Sequence, residues 1–356
     1  MKQALYKDFG GHIQQLALKS RFPLRVLFEF TYRCNFKCVH CYVSGSKKIC
    51  RPSDELATEQ VFDILRQLKE IGCFYLGFSG GEIFLRSDIL EIIHYAYNLG
   101  FNIILLTNAS LINPVIADKL KNIRINKIDI TVHSMDKGIF DRITGVHGSA
   151  KKVFDAIQLL KERDIPFALK SSGMTLNRKE IPKVSAFARQ LGVFYRFDSE
   201  LVPCFDHSYK QLQYTLSPQI SYELSKACYP EMFAEYDLKN RRRRVVTIKR
   251  NRKKIFNCGV GYTDLTINPF GELKLCIEID YPKYNVLEGS LKDGWEKIKN
   301  FVDELSPPTG WECRDCNLAD YCRVCPGRIF LTSGKFFGCD DYTKKQAEFN
   351  KKILAE

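Results

Sequence analysis

From residue 24 onward the chain switches its hydrophobic period repeatedly, and that switching limits its fold more than any other feature. Short apolar runs at 24–31, 73–79, 101–107, 127–133, 166–172 and 193–199 read as strands. Amphipathic stretches at 58–71, 88–100, 114–120, 151–163 and 181–191 read as the helices between them. In the first of these, Val61, Ile64, Leu65 and Leu68 recur at helical spacing, and Thr58 stands where an N-cap is expected. Alternation of this kind predicts an α/β fold with a parallel sheet and crossover helices. Six such units without a seventh predict an open, partial (β/α)6 barrel, with its reactive loops at the C-terminal ends of the strands.

Beyond residue 200 the pattern loosens. A helix is expected over 218–235, followed by the basic run Arg241-Arg242-Arg243-Arg244 and then Lys249, Arg250, Arg252, Lys253 and Lys254. The whole chain carries 54 Lys+Arg against 41 Asp+Glu, a formal charge of +13. The run reads either as a solvated connector or as a hold for an acidic peptide; no nucleic-acid-binding motif accompanies it, so nucleic acid is not an expected partner. No stretch reaches the ~18 apolar residues of a membrane span. The first residues lack the apolar core of a signal peptide, so a cytoplasmic protein is expected. The expected segments are an N-terminal extension (1–22), the partial barrel (23–200), a helical and basic connector (201–257), a cysteine-rich region (258–345) and a terminal helix end (346–356).

The cysteines bring chemistry into this frame. Fourteen are present, three of them within 34–41 and five within 313–339. In a long chain without a secretion signal such crowding suggests metal ligands rather than disulfides. Directly after the first strand stands Cys34-Asn-Phe-Lys-Cys38-Val-His-Cys41. Three thiolates cannot complete the four-cysteine set of an ordinary four-iron cluster, so one iron keeps an open position. A structural zinc site is the competing reading; it needs a fourth ligand, for which His40 is at hand.

This triad resembles the CxxxCxΦC signature of the radical S-adenosylmethionine (SAM) superfamily, with His40 in the Φ position. The resemblance implies that SAM chelates the open iron and that an electron from the cluster splits it to a 5′-deoxyadenosyl radical. It also implies cofactor contacts at Ser79, Gly80, Gly81 and Glu82, matching the family's GGE motif, with Glu82 facing the SAM ammonium. Asn108 and Ser134, at the ends of strands three and four, are further candidates for SAM contact. Each is equally readable as a loop cap.

Downstream, Cys258, the turn Asn268-Pro269-Phe270-Gly271, Cys276, then Cys313, Cys316, Cys322, Cys325 and Cys339 follow one another. The order is similar to that of a SPASM domain, which implies two auxiliary four-iron clusters and three clusters in all. On that resemblance Cys258, Cys276 and Cys325 hold the first auxiliary cluster, and Cys313, Cys316, Cys322 and Cys339 hold the second. Two residues separate Cys322 from Cys325 where the family has three, and this bears on the role assigned to Cys325. The first cluster then lacks a fourth ligand; Asp264 is a candidate or a turn residue. Zinc knuckles are the competing reading of the block. Cys50, Cys73, Cys204 and Cys228 fit no ligand pattern and are expected in packing roles.

The architecture implies an enzyme that abstracts hydrogen from a peptide or protein, forming a thioether or C–C crosslink or an oxidised residue. Alternatives are a small-molecule or tetrapyrrole substrate, a sulfatase-maturase-like formylglycine former, or a non-catalytic electron-transfer protein. Glu278 and Asp280 are candidates for a general base. About 22 residues precede the first strand, too few for a winged leader-binding domain. Either a separate leader-recognition protein supplies recognition or the substrate binds the barrel directly, and an external electron donor such as flavodoxin or ferredoxin is an expected partner.

Overall fold

The computed structural model describes residues 2–43, 51–231 and 254–355. Strands β1 (Arg25–Thr31), β2 (Tyr75–Gly80), β3 (Asn102–Thr107), β4 (Lys127–Thr131), β5 (Phe167–Ser172) and β6 (Tyr195–Asp198) pair in chain order, all parallel. The expected α/β sheet is present, and β6 does not pair with β1, so the barrel stays open. Between the strands run α2 (Thr58–Glu70), α3 (Ile89–Asn98), α4 (Pro114–Asn122), α5 (Lys137–Thr144), α6 (Ser149–Glu162) and α7 (Ile181–Leu191).

The helix-facing side of the sheet holds the core. Phe28 and Phe30 on β1 stack at 4.2 Å between ring centroids, and Phe30 stacks on Phe78 of β2 at 4.4 Å. All three are essentially sealed from water. Rings of this size dominate a core, and truncating one to Ala costs about 3–5 kcal/mol. On α2, Val61, Ile64, Leu65 and Leu68 are buried as their spacing requires. Its N-cap, however, is Ala57, whose N–H donates to Gln60 at 2.8 Å. Thr58 instead donates its hydroxyl to Asp88 at 2.7 Å, tying α2 to the start of α3.

Three further features were not expected. Helix α1 (Lys2–Ser20) precedes the sheet. Helix α5 is a two-turn segment capped by Asp136, which accepts from Ile139 N at 2.8 Å, and ended by Gly145 at φ +67°. Finally, β7 (Asp264–Ile267), the first strand after Cys258, adds to the open edge of β1 in parallel and carries antiparallel β8 (Glu272–Lys274) and β9 (Tyr284–Asn285). Among the described residues one nine-stranded sheet therefore runs through both cysteine-bearing regions.

The helix expected over 218–235 is broken at Tyr229: α8 spans Pro218–Cys228, residues 230–231 are again helical, and 232–235 lie outside the described residues. Pro230 disfavours helical backbone at Tyr229, which lies at φ −130° and ψ 55°. Residues 232–253, with all of the basic run except Lys254, lie outside the described residues, as does Cys50. Helices α9 (Leu291–Glu304), α10 (Pro326–Ser333) and α11 (Asp341–Ala355) complete the chain. No described helix is long and apolar enough to cross a membrane.

Candidate active site and cysteine clusters

Parallel strands leave their C-terminal ends at one rim, and here that rim surrounds a cavity of about 840 Å³. The thiol triad forms one side. Its loop is pinned to α5, because Lys37 N donates to Thr144 O at 2.7 Å and Val39 N to Ile143 O at 2.9 Å. On the other flank, buried Cys204 donates to Cys41 O at 3.5 Å and Phe205 N donates to Tyr42 O at 2.9 Å. Cys34, Cys38 and Cys41 all line the cavity. Burial pushes the Cys34 thiol up to about 11 and Cys38 higher still, with neighbouring thiols adding to the effect. Such groups shed protons readily only to a metal, so metal loading here is coupled to proton release.

Ser79, Gly80 and Gly81 also line the cavity, and the glycine pair has a reason within the chain itself. Gly81 N donates to Thr31 O at 2.7 Å and Glu82 N to Arg33 O at 2.9 Å, so β2 ends pressed against the backbone that leads into Cys34. A Cβ at Gly80 would lie 2.1 Å from Thr31 O, and one at Gly81 2.2 Å from Arg33 O. The pair therefore sets the height of the triad loop. Glu82 is wholly buried beneath this junction. It accepts from Thr107 Oγ1 at 2.7 Å, Asn108 N at 2.8 Å and Phe84 N at 3.2 Å. Burial raises its pKa, against those bonds, and its carboxylate braces strand ends instead of lining the cavity.

Asn108 lines the cavity, with Nδ2 at 3.8 Å from Cys34 Sγ and 2.9 Å from Asn35 Oδ1. Ser134 does not line it. Its hydroxyl donates to Glu180 at 3.1 Å and accepts from Asp136 N at 2.9 Å, a capping role. His40 does line it, packed edge-to-face on His133 at 4.8 Å. The Nδ1 atoms of both are buried without a partner among the described residues. Burial lowers His40 to about 4 and holds His133 well below its ordinary value, so both are neutral imidazoles.

Sequence reasoning missed the far wall, made by Thr131, Lys170, Ser171, Ser172, Arg196 and Asp198. The signal was available: these polar residues end strands β4 to β6, where a buried strand has no other reason to carry them. Burial lowers the Lys170 pKa, with Asp129 opposing.

The cavity reaches the second cysteine region. Ile277, Glu278, Cys325 and Arg328 line its opposite side. Cys325 Sγ donates to Glu278 Oε2 at 3.3 Å. Burial pushes Cys276 up to about 12, with Glu278 and Cys258 contributing, and Cys325 rises for the same reason beside Glu278 and Cys276. Cys258, Cys276 and Cys325 thus neighbour one another. Asp264 opens β7 and gives both carboxylate oxygens to Arg25, at 2.7 and 3.1 Å. Asp280 is exposed, with Lys283 Nζ at 3.8 Å.

Cys313, Cys316, Cys322 and Cys339 form a separate group outside the cavity. Burial pushes Cys339 up to about 11, with Cys322, Cys313 and Cys316 adding to the rise. The donor sets fit iron–sulfur clusters: all-sulfur, grouped as three, three and four. Among the described residues no three His, Cys, Asp or Glu groups converge closely enough for a single metal ion. Cys73, Cys204 and Cys228 are buried in the packing.

Residues 28–188 match the family model described as the radical SAM superfamily. Among curated proteins, the chain is 24% identical over 336 residues to the AdoMet-dependent heme synthase of Methanosarcina barkeri, covering 90% of this chain and 96% of that protein. It is 26% identical over 306 residues to the subtilosin biosynthesis protein AlbA of Bacillus subtilis, covering 84% of this chain and 64% of that protein. The mycofactocin maturase MftC of Mycolicibacterium smegmatis is 25% identical over 343 residues, covering 89% and 82%. Among solved structures, Streptococcus suis SuiB bound to S-adenosylmethionine superposes with a TM-score of 0.72 at 17% identity, covering 95% of this chain and 82% of that one. Coverage is similar for anSMEcpe with bound AdoMet, at a TM-score of 0.66, 17% identity and 94% of both chains.

Proposed function

The chain is a radical SAM enzyme related to peptide-modifying maturases, and on that premise we propose that it oxidises or crosslinks side chains of a peptide or protein. The observation that carries this reading is one continuous cavity running from Cys34, Cys38 and Cys41 to Cys325 and Glu278. A substrate threaded there meets the triad on one side and the second thiol group on the other.

When bound, a four-iron cluster on the triad supplies the electron that splits SAM into methionine and a hydrogen-abstracting radical. The chain's own contribution is placement and exclusion of water. The Gly80–Gly81 junction fixes the triad loop, and Asn108 aims an amide at Cys34. Neutral His40 and His133 present polar edges to the cavity without placing a second charge near the thiolates. Two auxiliary clusters, on Cys258, Cys276 and Cys325 and on Cys313, Cys316, Cys322 and Cys339, complete the proposal. Reducing equivalents come from an external flavodoxin- or ferredoxin-like donor.

A second reading has its own observation. The match covers 96% of the heme synthase relative, and the cavity wall carries two basic side chains, Lys170 and Arg196, the latter 3.5 Å from Asp198, which could meet tetrapyrrole carboxylates. One assay separates the two. Anaerobically reconstituted protein is given dithionite and SAM, with either short peptides encoded beside it or a carboxylated iron tetrapyrrole. The peptide reading expects 5′-deoxyadenosine together with a peptide that has lost a hydrogen pair. Tetrapyrrole consumption with untouched peptides favours the second reading, and absence of deoxyadenosine overturns both.

A further inference from the structure

We propose that Lys274 is a positioning residue that holds the cavity-facing thiol turn in register with the triad loop, acting through Glu29 and Tyr32. This rests on the reading above that substrate reacts between the two thiol groups.

Lys274 is a cation where the packing asks for an apolar side chain. Its neighbours Leu273 and Leu275 are sealed from water, and Lys274 itself is 3% exposed. Glu29, between Phe28 and Phe30 on β1, is wholly buried as well. Lys274 Nζ lies 3.6 Å from Glu29 Oε2. Strands β1 and β8 are not neighbours, because β7 runs between them. Two strand spacings make roughly 10 Å, a gap that only a pair of long side chains can cross. A buried ion pair adds little stability over apolar residues of the same volume. This one even leaves Glu29 Oε1 buried without a hydrogen bond among the described residues. Stability therefore does not explain the pair, and its other contacts do.

Each end of the pair reaches one thiol group. Tyr32 donates its hydroxyl to Glu29 Oε2 at 2.9 Å, lines the cavity and stands two residues before Cys34. Lys274 Nζ donates to Ile277 O at 3.4 Å. That carbonyl lies between Cys276 and Glu278, on a turn closed by Ile279 N donating to Cys276 O at 3.3 Å. Phe205 completes the arrangement: Lys274 Nζ is 5.0 Å from its ring centroid, with the Tyr32 and Tyr42 rings at 6.0 and 5.1 Å. Tyr42 directly follows Cys41, so one ammonium meets the thiol turn and a ring packed against both ends of the triad loop. The turn has no room to retreat from it. A Cβ at Gly327, in the first turn of α10, would lie 2.4 Å from Glu278 Oε2 and 3.4 Å from Cys276 Sγ. Tight packing on one side and the Lys274 tether on the other fix the turn against the triad.

The test compares the full chain with Lys274→Met and with Glu29→Gln plus Lys274→Met. The double variant removes both charges and still offers Tyr32 an amide oxygen. Urea unfolding and N-ethylmaleimide labelling, mapped by mass spectrometry, are read on the metal-free protein. Product per deoxyadenosine is read after reconstitution, with whichever probe the wild type consumes, encoded peptide or iron tetrapyrrole. Lys274→Met strands a buried carboxylate and should lower the unfolding midpoint, and the double variant should restore it. In both variants Cys276 should label faster while Cys339 keeps its rate, and product per deoxyadenosine should fall by about tenfold. A double variant with the wild-type midpoint, Cys276 rate and product ratio overturns the proposal, because the pair then matters for folding alone. So does a Lys274→Met protein that matches wild type in all three. A wild type that makes deoxyadenosine but alters neither probe defeats the reading beneath, and the labelling rates then decide the role of Lys274 by themselves.

Discussion

The two C-terminal cysteine groups share a ligand type and differ in outlook. Cys325, at the head of α10, and Glu278 line the cavity, with Cys276 next to them on the turn that carries Glu278. Cys313, Cys316, Cys322 and Cys339 lie in short turns between α9 and α11, away from the cavity. The more enclosed group has the more strongly raised thiol, about 12 for Cys276 against about 11 for Cys339. The difference teaches that cysteine spacing locates a thiol group, whereas the sheet decides whether that group faces the cavity. A single side chain couples the groups. Buried Arg328, three residues after Cys325, bonds Asp340 beside Cys339 at 2.6 Å and also Leu201 O and Glu200.

The largest expected effect breaks the two groups apart by function. Cys276→Ala with Cys325→Ala should retain SAM cleavage but lower product formation by on the order of 100-fold. Cys316→Ala with Cys322→Ala should cost less, and the reverse order, read by product mass spectrometry, would invert the comparison. Next, Arg328→Ala leaves Asp340 and Glu200 without their cation. It should destabilise the metal-free protein by about 1.5–3 kcal/mol, measured by denaturant unfolding, and loosen both groups together.

Gly327→Ala should disturb the cavity-facing group alone. Overpacking against Glu278 is worth about 1–3 kcal/mol, and iron should be lost from that site while the other remains loaded. The smallest effect is in pH. Both thiols start from an ordinary value of 9.0 and are raised by burial. The native metal-free chain therefore binds more protons than the unfolded chain above pH 9, and its stability falls as pH rises through that window. Alkylation of the metal-free protein, mapped by mass spectrometry from pH 8 upward, should reach Cys339 at lower pH than Cys276. Simultaneous labelling would show that the two environments are alike.

The strands of the barrel were legible because burial on both faces leaves continuous apolar runs such as Ile103 to Leu106. Helix α7 was legible to its ends, because Pro182 and Gly192 punctuate both. The thiol triad and the later cysteine order were legible as spacings, and the structure brings the members of each group near one another. What sequence could not supply was direction. Glu82 was assigned to a cofactor, yet its carboxylate turns inward to Thr107 and Asn108. Ser134 spends its hydroxyl on Glu180, a partner 46 residues away. The place of β7 beside β1 is a tertiary fact, since nothing in Asp264–Ile267 names its neighbour. Helix α5, only two turns long, left too little periodicity to stand out, although Asp136 and Gly145 frame it.

The pairing of β7 with β1 also sets a timetable. Between the end of β1 at Thr31 and the start of β7 at Asp264 the ribosome must add 233 residues (264 − 31). At about 5–20 residues per second that takes roughly ten to fifty seconds. Throughout that interval β1 has β2 on one side and an unsatisfied row of amides and carbonyls on the other. The nascent barrel is thus a sticky intermediate until its cysteine-rich end arrives to cover it. Yield from slow, cold expression, or from co-expressed chaperones, will depend on guarding that one edge.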